Sequence, residues 1–513
     1  MLAPTCGQSK VVRDDSRNVL SNESVDTGTT LDLASQANAY ATVESTTTFN
    51  GSTPMAAGSN IEIYSPGYSP SLTNNGTINA NVNGQTFTDS SGTNNTGTME
   101  ATGGSILNLA ATTTNSGLIE ASGTGSQVDV NASLGDSGTI TANGSGSSVV
   151  FQNNLTGNSD TLNAENGGLL LVNGATIYGT LNVGTGSLSF NNNSYNLVSG
   201  ATLSGNLDFA SQANAHATVE GATTFNGRTT MAAGSNITFN DNNGGTTLTN
   251  NGTIQGAGTI NGNGNLTNNG TINANVSGQT LTVAPSGVTS TGNLDATNGG
   301  TLVAQNGSPV GGNVNALAAS TVNLYNGIAQ TGGVSTIDGT LLSQNGNYSL
   351  GGGVLNGTGS LNLSVAQTGG TFNPRSDPAS MSITGNYSIT GGIYQLDIAS
   401  LSNFDVLTVS GSANISGGTL SLDFLNGYLP TQNNSYQFLL ANSYTGNNAF
   451  SSYTSNINGL SFSYSNGEVT VGNAPPPVPE APTAFSMLGM LGMGGVGYYS
   501  RKRRSSSRAA ASA

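Results

Sequence analysis

One stretch, Leu-Thr-Asn-Asn-Gly-Thr-Ile-Asn-Ala-Asn-Val, stands at residues 72–82 and again at 266–276, and its first half recurs at 248–254. In its second half Ile78, Ala80 and Val82 fall on one face, and Thr77, Asn79 and Asn81 on the other. Alternation with period two marks a half-buried strand. The Asn-Asn-Gly before it is turn chemistry, because Asn and Gly adopt positive φ at little cost. The unit is therefore a tight corner followed by a short strand with one apolar face. A single strand of this kind cannot bury that face, but many stacked in register can, as in a solenoid.

The spacing of the apolar anchors agrees. Ile78, Met99, Ile119, Ile140 and Leu162 are separated by 21, 20, 21 and 22 residues, and Leu294, Val314, Val334 and Val354 by 20 each. A second strand follows in most units, at 127–130, 148–151, 168–171 and 321–324. A turn of about 20 residues with two or three short strands predicts a parallel β-helix. Turns stacked about 4.8 Å apart, roughly sixteen of them, make a rod on the order of 75 Å long.

A larger duplication overlies the small one. LDLASQANAYATVESTTTFNG from Leu31 pairs with LDFASQANAHATVEGATTFNG from Leu207, an offset of 176. Between Leu72 and Leu266 the offset is 194; the additional 18 residues, 248–265, are one inserted turn. A solenoid accepts whole turns in this way, whereas a closed globule does not.

Composition bounds the function. The chain of 513 residues has 74 Gly, 7% charged residues, 35% hydrophobic residues and a net charge of −15. Low-complexity disorder competes as a reading of such a composition, but disordered chains stay expanded through charge, which is scarce in this one. The cations are Lys10, Arg13, Arg17, Arg228, Arg375, Arg501, Lys502, Arg503, Arg504 and Arg508, which leaves only Arg228 and Arg375 between Asn18 and Ser500. A body so poor in cations cannot neutralise phosphates, so nucleic acid is excluded as a partner. The one cysteine, Cys6, allows no intrachain disulfide and reads as incidental.

The expected organisation is a disordered tail at 1–30, a parallel β-helix array at 31–370, and a β-rich C-terminal cap at 371–473. The cap is expected where aromatics gather, among them Tyr387, Tyr394, Phe404, Phe424, Tyr436, Phe438 and Tyr464, because a bare terminal coil exposes strand edges. A Pro-rich linker follows at 474–483, then an apolar segment at 484–500 and a basic tail at 501–513. The segment is short for a hydrocarbon core of about 30 Å, and the basic cluster after it would keep the C-terminus cytoplasmic. Residues 1–30 hold no apolar run of signal-peptide length, so either export follows another route or the recorded start lies downstream of the true one.

The tail from Val478 to Arg504, VPEAPTAFSMLGMLGMGGVGYYSRKRR, resembles the PEP-CTERM sorting signal, which joins a Pro-Glu-Pro motif to an apolar segment and an Arg-rich end. Val478, Pro479, Glu480, Ala481 and Pro482 form a spaced variant of the motif, and Arg501, Lys502, Arg503 and Arg504 the basic membrane stop. The resemblance covers about 35 of 513 residues. It implies export, a short C-terminal transmembrane helix, and cleavage by an exosortase-type membrane protease near Pro479-Glu480. It implies delivery from the cell envelope to the surface or matrix, with a link to exopolysaccharide and biofilm. The body is similar to the β-helical passengers of autotransporter-like adhesins, and 370–473 to their C-terminal cap, although no outer-membrane barrel follows.

Some β-helices cleave polysaccharides. Lyases need a Lys or Arg base, and often Ca²⁺ held by clustered acids. Hydrolases need two carboxylates about 5–9.5 Å apart. The acids Glu100, Glu120, Asp129, Asp136, Asp160 and Glu165 are scattered singly, although Glu100 and Glu120 hold corresponding outward positions one turn apart. The one histidine, His216, aligns with Tyr40 in the duplication and reads as a packing or surface residue. Asp241-Asn242-Asn243-Gly244-Gly245 reads as a loop rather than a calcium repeat. The Asn-Gly-Thr triplets at Asn75, Asn251, Asn269 and Asn356 read as corners rather than glycosylation sites. No catalytic, metal or cofactor residue is assigned. The reading is an all-β, right-handed parallel β-helix solenoid that is exported and structural or adhesive, with a polysaccharide lyase or glycoside hydrolase on the same scaffold as the alternative.

Overall fold

The computed structural model describes residues 72–473 apart from 91, 243, 306–310, 376, 377 and the side chain of 159; before them it describes residues 48–51 and the backbone of the strands between Ser9 and Ile63. The described residues form an all-β parallel solenoid without a helix. No helix among them is long and apolar enough to cross a membrane.

Each turn carries three strands, one on each of three faces. In the clearest turns face I holds Leu72–Asn74, Thr93–Asn95, Thr113–Asn115 and Leu134–Asp136. Face II holds Thr77–Ala80, Thr98–Thr102, Leu118–Ser122 and Thr139–Asn143. Face III holds Thr86–Ser90, Ile106–Leu109, Gln127–Val130 and Ser148–Phe151. Face III forms a 15-stranded sheet from Asn18–Leu20 to Asn313–Ala316, one strand per turn. Parallel pairing already involves Ser9–Val11 and Ser24–Val25, within the stretch whose composition reads as irregular.

Alternation places the apolar residues inside. Ile78, Met99, Ile119, Ile140 and Leu162 stack in register on face II, all fully buried, with Ala80, Ala101, Ala121 and Ala142 beside them. Phe87, Leu107, Val128, Val149 and Leu170 stack on face III. A fully buried apolar side chain contributes about 1.5–3 kcal/mol, so stability accumulates turn by turn instead of residing in one globular centre.

The later anchors behave differently. Leu294 pairs with Val314, and Val334 with Val354, as the spacing requires. Yet Val334 is 48% exposed, while its neighbour Ser335 is fully buried. The preceding Gly332-Gly333 shifts the register, so the interior column passes through Ser335 and Leu355 instead.

The large duplication is out of phase with the faces. In the first copy Thr30–Asp32, Tyr40–Val43 and Thr47–Phe49 lie on faces II, III and I in turn. In the second copy Leu207–Phe209, His216–Glu220 and Ala222–Phe225 lie on faces III, I and II. The same sequence therefore sits one face further round the axis. Between the two copies, Leu155–Glu165 and Thr176–Thr185 run straight through the face I/II corner, with register shifts at Asn158/Asp160 and Leu162/Asn163. The Asn-Gly corner then reappears between faces II and III.

Parallel pairing does not stop at residue 370. Ser380–Ile383, Tyr387–Ile389 and Ile393–Ser400 continue faces I, II and III, and further turns follow to Ser452–Ser455. Rings fill this end. Phe372 lies 5.5 Å from Tyr394, Tyr394 lies 5.1 Å from Phe438, and Phe450 lies 5.1 Å from Tyr464. Ser435–Gln437, Phe462–Ser465 and Glu468–Val471 form a small antiparallel sheet, tied to the last turns by Leu439 N–H donating to the Gly467 carbonyl at 3.1 Å.

Candidate functional site

The corner motif generates two ladders at once. Its first Asn points inward and is buried, its second points outward, and its Gly stacks on the Gly of the next turn. That stacking admits no side chain, since a Cβ on Gly97 would overlap the Gly76 carbonyl oxygen and one on Gly117 that of Gly97.

In the inner ladder Asn74 Nδ2 donates to Asn95 Oδ1 at 2.7 Å and to the Thr98 carbonyl at 2.9 Å. Asn95 Nδ2 repeats the pattern with Asn115 Oδ1 at 2.7 Å and the Leu118 carbonyl at 3.0 Å. In the second copy Asn250 Nδ2 donates to Asn268 Oδ1 at 2.8 Å, and Asn268 Nδ2 to Ser290 Oγ at 3.0 Å. Each of these buried Nδ2 groups thereby uses both of its N–H donors, one on the next rung and one on a backbone carbonyl.

The outer ladder faces solvent. On the edge between faces I and II, Asn75 Nδ2 donates to Asn50 Oδ1 at 2.9 Å and Thr96 Oγ1 to Asn75 Oδ1. On the edge between faces II and III, Asn251 Nδ2 donates to Asn226 Oδ1 and Asn269 Nδ2 to Asn251 Oδ1, both at 3.0 Å, and Thr291 Oγ1 to Asn269 Oδ1 at 3.2 Å. Three of the four Asn-Gly-Thr triplets thus start on exposed corner residues; Asn356 lies instead at the end of Tyr348–Asn356 and pairs with Asn373. Beside the first edge lies an open groove of about 360 Å³, whose walls include Asn94, Thr114, Ser116, Ser137, Thr156 and Asn158.

The acids fall into two groups. Glu100 and Glu120 are register partners on the outward side of face II, with Asn79 and Thr141 as the next rungs. Burial, and then the Glu120 charge, raise the Glu100 carboxyl above its usual value. Asn143 Nδ2 donates to Glu120 Oε1 at 3.3 Å. Asp136 and Asp160 are buried, and together they extend the inner amide ladder. Asn115 Nδ2 donates to Asp136 Oδ1 at 2.7 Å. Asp160 faces Asp136, and burial followed by that neighbour pushes its carboxyl up to about 8. Neither Asp160 oxygen, nor Asp136 Oδ2, meets a protein donor. A protonated Asp160 donating to Asp136 Oδ2 pairs that oxygen and one of the two on Asp160. The sequence signal for Asp136 was available: Leu134-Gly-Asp-Ser-Gly-Thr-Ile140 repeats the corner motif with Asp at the inner position. Asp160 has no such signal, because it stands where the corner is lost.

The other candidates stay apart. His216 starts the strand His216–Glu220 and lies within 3.3 Å of Thr218 Oγ1, its imidazole lowered by burial. Asp129 lies on face III, held by Gln127 Nε2 at 2.6 Å, and burial raises its carboxyl. Glu165 accepts from Thr185 Oγ1 at 3.4 Å. Arg228 is exposed, and Arg375 Nη1 bonds Asp338 Oδ1 at 2.8 Å. Asp241 Oδ1 accepts from Thr246 N–H at 2.8 Å, closing the loop around Gly244 and Gly245. Cys6, the sorting motif Val478 to Pro482 and the basic cluster Arg501 to Arg504 lie outside the described residues. No protein-family model matches the chain, and no curated protein matches it.

Proposed function

We propose that the chain is an exported, surface- or matrix-associated structural and adhesive protein, a right-handed β-helix that holds polysaccharide. One observation carries this reading: outward amides and hydroxyls stacked in register along the solenoid edges. Each rung offers one weak polar contact, and a polymer lying along several rungs gains from all of them. In the same reading the tail carries a PEP-CTERM signal. Val478 to Pro482 present it to an exosortase-type protease, residues 484–500 cross the membrane, and Arg501 to Arg504 halt transfer. Retention of the purified protein on immobilised exopolysaccharide tests the adhesive part, and failure to bind any would remove it. Mass spectrometry of protein from exosortase-competent cells tests the sorting part, since an intact C-terminus would end it.

The register pairing of Glu100 with Glu120 favours a second reading, a glycoside hydrolase on the same scaffold. A carboxyl raised above its usual value beside a second acid is an arrangement that acid catalysis uses. Release of reducing sugar, abolished by Glu100→Gln, would decide for the enzyme.

A further inference from the structure

We infer that the solenoid bridges two separate strands of uncharged polysaccharide, because it presents the same amide ladder on two different edges. The inference rests on the adhesive reading above and specifies its partner. Asn50, Asn75 and Thr96 run along the edge between faces I and II. Asn226, Asn251, Asn269 and Thr291 run along the edge between faces II and III. Both runs descend from the same duplicated sequence, and they are separated round the axis because the duplication is out of phase with the turn.

Each ladder amide has two N–H donors and a carbonyl oxygen with two lone pairs. At Asn75, Asn251 and Asn269 the ladder uses one donor and one acceptor position, so the remainder projects outward, with rungs at the strand spacing of about 4.8 Å. That repeat suits an extended glycan with hydroxyls on every residue. A straight polymer that follows one edge runs parallel to the axis and does not meet the other edge. The two ladders therefore act as independent sites, and two occupied sites join two polymers. Charge selects the class. The chain carries −15 net, and among the described residues the cations are Arg228 and Arg375, the latter bonded to Asp338. A polyanion would be repelled, whereas an uncharged glycan is not.

The test uses the full chain and beads of two colours, both coated with dextran, mannan or xyloglucan. Protein captured per bead reports binding, and co-aggregation of the colours reports bridging. One variant carries Asn75→Ala, Thr96→Ala and Ser116→Ala; a second carries Asn226→Ala, Asn251→Ala and Asn269→Ala; a third combines them. Each single-edge variant is expected to keep capture within about three-fold while co-aggregation falls by about ten-fold or more, and the combined variant to lose both. Circular dichroism and thermal midpoints check folding, and Asn→Ser changes at the same positions replace any variant that misfolds. Single-edge variants that co-aggregate beads as well as the unaltered chain would overturn the inference, as would capture without bridging by the unaltered chain. Absence of capture by the unaltered chain would instead remove the adhesive reading beneath it.

Discussion

Asn95 is fully buried and hydrogen-bonded on both sides. It accepts from Asn74 at 2.7 Å and donates to Asn115 and to the Leu118 carbonyl. Asn95→Ala would strand a donor on Asn74 and an acceptor on Asn115. Each stranded group costs about 1–3 kcal/mol, so the turns around Asn95 should open in urea before their neighbours and lose hydrogen-exchange protection first. Asp160 gives a pH signature. Its carboxyl is raised by burial and by Asp136 to about 8, so the folded state holds a proton that the unfolded state releases near the ordinary aspartate value. Its contribution is complete below that ordinary value and is lost as pH climbs towards about 8. The thermal midpoint of the unaltered chain should fall over that window. Asp160→Asn should flatten the decline, because an amide donates to Asp136 at any pH. Sequence alone made the outward position of Glu100 and Glu120 legible, because period two fixes which side a residue faces. The acid pair at Asp136 and Asp160 was hidden, because a register shift rather than a repeat brings Asp160 to the column.

At the scale of the strand, spacing and sidedness separate. The interval of 20 residues from Val314 to Val334 is kept along the chain, but Gly332-Gly333 interrupts the pleat, leaving Val334 outward and Ser335 inward. Ser335 Oγ then accepts from Val314 N–H at 3.0 Å. Val334→Thr should therefore leave stability within about 0.5 kcal/mol. Ser335→Val should cost about 1–3 kcal/mol by removing the acceptor that Val314 N–H uses; chemical denaturation compares the two. Short strands with one apolar face were legible from alternation. The flip was not, since two adjacent glycines carry no side chain to mark which face they occupy.

At the scale of the molecule, turns behave as interchangeable parts. Thr247 pairs with Asn265 and Leu248 with Leu266, so removing residues 248–265 joins Thr247 to Leu266 in register. The shortened chain should fold with its far-ultraviolet spectrum unchanged, and small-angle scattering should show a length reduced by about 4.8 Å. A chain that unfolds or aggregates on this deletion would contradict the modular picture. The repeat, the inserted turn and the solenoid were all legible in the sequence. The rotation of the second copy by one face was not, because identical strings carry no record of how many turns separate them.

The crowd of rings near the final turns has a mechanical consequence. Phe372, Tyr387, Tyr394, Phe438, Phe450 and Tyr464 knit several successive levels together, whereas the levels through Ile78 and Met99 are joined mainly by aliphatic side chains and backbone. Pulled lengthwise from its two ends, the solenoid should unravel from its amino-terminal side like a loosened spring. The ring-filled final turns should yield last.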